Sequence, residues 1–287
     1  MKKISKTITL GLTLGFTIVM MLVPSGASHA LTNDERTAIR SAFMDAARNP
    51  ELYEAMVSGI RLGPEKDQIF MRYFEDVMTN EAFLDATIQQ VLDSGVFASL
   101  EDFTEGKNAV KMAFSLGYEI SSAMAIRGMG KMSHDDIRSF FTLMSGIFGV
   151  VEPRYCRVML GGEEAGQQDM IEAGFAVMRG MTPAELRTYL ALSRIALEGE
   201  LSGRATRVAP NADQIELANQ AFLTKFSIAL KTEPEAEAED VLVVLTNPNA
   251  ADDMAFCAAG RVLFSVYGDM DGLPGQWIRL MVLQAAN

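Results

Sequence analysis

From Thr32 onward, apolar residues recur at spacings of three and four along nearly the whole chain, and the breaks between these stretches carry helix-cap chemistry. Thr32 with Glu35 opens a helix that runs to about Arg48 and is closed by Asn49-Pro50. Pro64 stands in the first turn of a second, whose inward face reads Ile69, Tyr73, Phe74 and Val77. Ser99 with Asp102 starts a long one carrying Phe103, Val110, Ala113, Phe114, Gly117, Ile120 and Met124. Ser133 with Asp136 starts another, with Ile137, Phe140, Phe141, Met144 and Phe148 turned inward. Thr182-Pro183 with Glu185 combines an N-cap, a proline already at helical φ and an acid that reaches back to the cap. That helix buries Leu186, Tyr189, Leu190, Ser193 and Leu197. Ile215, Ala218, Phe222, Phe226 and Ala229 mark a further helix.

Strand signals are sparse. Val241 to Leu245 is a short apolar run that would suit a buried strand. The acids that precede it, Glu235, Glu237 and Glu239, instead favour a helix whose first turn meets the positive end of the dipole, and helix is the reading adopted. The pattern predicts an all-α fold, a bundle of roughly eight to eleven helices.

Met132-Ser133-His134-Asp135-Asp136-Ile137-Arg138 aligns without gaps to Met181-Thr182-Pro183-Ala184-Glu185-Leu186-Arg187. Each follows an Arg-Gly-Met turn, Arg127-Gly128-Met129 and Arg179-Gly180-Met181. A duplicated helical hairpin accounts for this, and so do two independently well-capped amphipathic helices, since caps and stripes constrain a sequence strongly.

The first thirty residues break the pattern. Lys2, Lys3 and Lys6 precede an apolar run from Ile8 to Val23, Pro24 ends it, and Ser28-His29-Ala30 places small residues where a signal peptidase cuts. The expectation is a signal peptide over 1–30, cleavage after Ala30, a single all-helical mature domain over 31–287, and residence in the periplasm or the medium, with no stable membrane insertion after cleavage. The whole chain carries 25 basic and 37 acidic residues; without the leader's three lysines the mature chain has 22 basic residues against the same acids. Such a surface repels phosphate backbones and anionic headgroups, which excludes nucleic acid as an expected partner.

Cys156 and Cys257 are the two cysteines, and in an exported chain they are expected to pair. The bridge would close a loop for which chain entropy allows up to ~4.7 kcal/mol.

Histidine is the informative scarcity. His29 leaves with the leader, so a Ser-His-acid or Cys-His mechanism would have to use His134, a first-turn residue beside its Ser133 cap. No G-x-S-x-G elbow is present, and one histidine excludes zinc sites that need two. Met124, Met129, Met132 and His134 could be arranged as soft ligands for Cu(I), although core packing uses the same residues. Gly268-Asp269-Met270-Asp271-Gly272 has the acidic, glycine-turned character of a calcium loop, but Tyr267 and Ile278 occupy the positions where such a loop needs acids, so a helix-to-helix turn is expected. Glu163-Glu164 and Asp169 beside Gly161-Gly162 could pair as glycosidase carboxylates only if folding opposed them. Trp277, the one tryptophan, belongs to a closing helix that docks on the core.

No catalytic residue, cofactor or metal is assigned from these features. The expected function is that of an exported, non-enzymatic binding protein, an adaptor, inhibitor or chaperone-like factor acting on another envelope protein. The alternatives are a carrier of a small apolar ligand in a cavity between helices, or a carboxylate-dependent cell-wall hydrolase.

Overall fold

The computed structural model describes residues 60–94, 120–161 and 167–285, with single positions between 32 and 51. The leader, most of the first expected helix and the Ser99–Asp102 helix start lie outside the described residues. Among those described the fold is all-helical, without strands. The helices are α1 Pro64–Met78, α2 Glu81–Ser94, α3 His134–Phe148, α4 Pro153–Met159, α5 Gln167–Gly180, α6 Pro183–Leu201, α7 Ala212–Thr232, α8 Glu235–Thr246, α9 Asp253–Asp269 and α10 Gly272–Ala285. A 3-10 turn, Pro248–Ala250, lies between α8 and α9, and residues 120–129 are also helical.

The expected caps are in place. Ser133 accepts from the Asp136 amide at 3.1 Å at the head of α3. Ahead of α6, Glu185 N–H donates to Thr182 Oγ1 at 3.3 Å while the Thr182 amide donates to Glu185 Oε2 at 2.7 Å, a reciprocal box that holds the Glu185 carboxyl below its ordinary value. Asn211 and Gln214 form the same box for α7. The Val241–Leu245 run is the second half of α8, with Val241 fully buried.

The chain divides into two compact units. The smaller is drawn from Met20–Gly128 and Ser193–Arg204, and its described core comprises Phe74, Val77, Met78, Phe83, Met124 and Leu197. Gly128 there lies so close to Ala196 that a Cβ would stand 1.8 Å from the Ala196 carbonyl oxygen. Arg194 joins Asp76 at 3.2 Å and Glu198 at 2.8 Å, and Arg127 reaches Glu200 at 3.0 Å.

The larger unit takes its described residues from Met129–Leu192 and Ala205–Asn287 and is built around α9, which packs against α3, α4, α7, α8 and α10. Its buried residues run from Ala255 to Gly268 and cover every side of the helix, as expected of a helix at the centre of a bundle. Phe141 meets Phe264 and Tyr267 at 5.4 Å each, Phe148 meets Phe264 at 5.2 Å, and Phe222 stacks on Tyr267 at 5.2 Å. This aromatic group ties α3, α7 and α9 together through large buried area and favourable ring geometry. Burial pushes the Tyr267 hydroxyl pKa up.

The two similar segments both belong to this unit and fold alike. Met132 and Met181, Ile137 and Leu186, and Phe141 and Leu190 are buried at corresponding positions behind equivalent hydroxyl caps.

Candidate functional site

Cys156 and Cys257 are bonded, with Cα atoms 5.0 Å apart and both side chains buried. The bridge fastens the seven-residue α4 to the second turn of α9. Arg157, one residue along, adds a bond from Nε to Asp253 Oδ1 at 2.6 Å and from Nη2 to the Ala251 carbonyl at 2.6 Å, and its guanidinium lies 4.5 Å from the Phe256 ring centre. These ties surround the disulfide with packed side chains.

A set of polar groups gathers where the head of α3 meets the α9–α10 turn. Arg138, one turn after His134, donates from Nε to the Gly268 carbonyl at 2.8 Å and pairs with Asp271 at 2.9 Å. Arg279 on α10 is 3 % exposed and donates from Nη1 to the carbonyls of Tyr267 at 2.7 Å and Met270 at 2.9 Å. The last carbonyls of α9 have no partner within their own helix, and the two guanidinium groups satisfy two of them, Tyr267 and Gly268, and that of the cap residue Met270, while meeting the negative end of the dipole. Among the described residues Arg279 makes no ion pair, and its Nε is one of two buried side-chain polar atoms left without a partner, Thr87 Oγ1 being the other. Burial first, and then the charge of Arg138, draws the Arg279 pKa down, with Asp271 and Asp135 opposing.

Arg207 approaches the same corner from the segment that follows α6. Its backbone N–H donates to the Gly130 carbonyl at 3.2 Å, its Nε to the Met132 carbonyl at 2.7 Å, and its Nη1 lies 3.2 Å from His134 Nε2. Burial, and then the positive charges of Arg207 and Arg279, lower the His134 pKa, while Asp135 pulls the other way. Because a guanidinium only donates, a hydrogen bond at this contact uses the Nε2 lone pair of a neutral imidazole.

Met124 belongs to the core of the smaller unit and Met132 is buried in the larger one. Gly268 to Gly272 forms the expected turn between α9 and α10, with Met270 buried, Gly272 at φ +66° and Asp271 engaged by Arg138. Glu163 and Glu164 lie outside the described residues, and Asp169 is exposed on α5. Trp277 is half-buried on α10, whose neighbours Ile278, Leu280 and Leu283 are buried. Among the described residues no three His, Cys, Asp or Glu side chains converge to hold a metal, and no helix is long and apolar enough to cross a membrane.

Sequence reasoning missed Arg207 and Arg279 because their partners are backbone carbonyls distant in the chain, which no local spacing marks. Arg279 did leave one signal, a lone arginine inside the apolar run Trp277-Ile278-Arg279-Leu280-Met281. The chain matches no protein-family model, no curated protein and no solved structure.

Proposed function

We propose that this protein is an exported, disulfide-clamped helical binding protein that works by docking on another protein of the cell envelope. The observation that carries the reading is the outer side of α7. This helix already buries Ala218, Phe222 and Phe226 against the core, yet it leaves Leu217 and Ile228, which share one outward stripe, at 53 % and 56 % exposure, and Leu223 on the other flank at 46 %. Apolar side chains on both sides of one helix suit a helix covered on both sides, the outer cover being a second protein. The bonded Cys156–Cys257 pair and the leader-like first thirty residues support export, because such a bridge persists in an oxidising compartment.

Photo-crosslinking from positions 217 and 228 in intact cells, with Gln68 on α1 as the control, tests it. The expected result is a discrete heavier species from both α7 positions and none from the control, on a chain whose mass begins at Leu31. Absence of that species, or its equal appearance from Gln68, overturns the docking reading. An uncleaved mass overturns the leader.

A further inference from the structure

The segment from Ala205 to Pro210 has no helical hydrogen bonds of its own. Among the described residues, every hydrogen bond recorded for it is made by Arg207. Three donors of that residue grip the short stretch Gly130–His134, and next to them Val208 stands 88 % exposed, the most exposed large apolar side chain among the described residues. Pro210 is buried at the far end of the segment, so the fastening of its exposed middle depends on what Gly130, Met132 and His134 offer. The two carbonyls are constant, and the imidazole is not.

A guanidinium can only donate. The contact between Arg207 Nη1 and His134 Nε2 therefore requires a lone pair on Nε2, with the ring neutral and its proton on Nδ1. Protonating the ring sets an N–H against an N–H and a positive charge against a positive charge. We propose that His134 and Arg207 form a pH-operated latch, which holds the 205–210 segment on the head of α3 while the imidazole is neutral and releases it when the imidazole is protonated.

The surrounding charges favour the closed state near neutral pH. Arg207 from the 205–210 segment and Arg279 from α10 disfavour the imidazolium, as does burial. On α3 itself Asp135 favours it, but it is exposed. Asp136 is engaged by the Ser133 hydroxyl at 2.5 Å, and Arg138 and Asp271 pair with each other. His134 is therefore harder to protonate folded than unfolded, so its contribution to stability is complete above the ordinary histidine value of about 6.5 and is lost as pH falls through its lower folded value. An exported protein meets the pH of its surroundings, and that use of the latch rests on the proposed export; the latch itself does not.

The test uses the full chain with His29→Gln, which leaves His134 as the only imidazole signal. Hydrogen exchange at the Arg207 amide, corrected for intrinsic rates, is followed alongside the His134 resonance from about pH 7.5 to about pH 5. Protection at Arg207 is expected to fall on the order of tenfold along the His134 titration. With His134→Gln, a neutral acceptor at every pH, it should stay flat, which separates the latch from titration of the nearby carboxylates. A second variant, Arg207→Gln, should move the His134 titration upward. Unchanged protection across the titration, an equal fall in His134→Gln, or an unmoved titration in Arg207→Gln overturns the proposal, and none of these depends on where the protein resides.

Discussion

At the scale of single residues, the packing of α3 on α9 depends on what is missing from position 260. A Cβ on Gly260 would stand 2.3 Å from Cδ1 of Phe148, whose ring is 2 % exposed and is held from behind by Phe264 at 5.2 Å. Interiors at native density cannot absorb a methyl group there without moving a ring. Gly260→Ala is accordingly expected to lower stability by about 1–3 kcal/mol, through overpacking that outweighs the ~1 kcal/mol gain in helix propensity. The urea midpoint of the variant decides between the two terms. A midpoint at or above that of the parent chain would mean that the Phe148 ring turns aside at little cost. Gly146, on α3, has open space where its Cβ would lie, so Gly146→Ala is the matched control for propensity alone.

At the scale of elements, legibility followed exposure. Helices with one wet face announced themselves: Ser133, Thr182 with Glu185, and Pro64 start α3, α6 and α1, and the inward residues named from their stripes, such as Ile137, Phe141, Leu186 and Phe74, are buried. The central helix α9 was not read from the sequence, although Asp252 caps it through the Ala255 amide, because a helix buried on all sides has no stripe. Short α4 carried too few turns to show a period, and the pairings that define the polar corner join residues 73 and 130 positions apart, beyond any local pattern. The same corner yields a prediction at this scale. Arg279→Met keeps much of the apolar stem but strands the Tyr267 and Met270 carbonyls at the buried end of α9, at a cost of about 1–3 kcal/mol. If the thermal midpoint instead holds or rises, the cost of burying the guanidinium, visible in its lowered pKa and unpartnered Nε, exceeds what its hydrogen bonds return.

At the scale of the whole molecule, the Cys156–Cys257 bridge joins points 101 residues apart, and the two ways it could act predict different measurements. If it stabilises by limiting the unfolded chain, the paired variant Cys156→Ala/Cys257→Ala loses about 2–5 kcal/mol, and its denaturant slope steepens because a longer free chain exposes more surface. If it acts through native contacts, the slope stays constant and the loss is confined to the region it clamps. That region is well defined. Helix α4 has seven residues, too few to persist unaided, and without the sulfur link it keeps the bonds from Arg157 to Asp253 and Ala251 and its packing on α9 and α5. The entropic mechanism is the expected one, since both cysteines sit in packed surroundings whose other ties survive the substitution. Urea unfolding of the parent and the paired variant, followed by far-ultraviolet circular dichroism, should therefore show a lower midpoint together with a steeper slope. A lower midpoint with an unchanged slope would transfer the stabilisation to the native α4–α9 contact. It would also make the exposed start of α9, with Met254 at 60 % exposure, the first part of the larger unit to open.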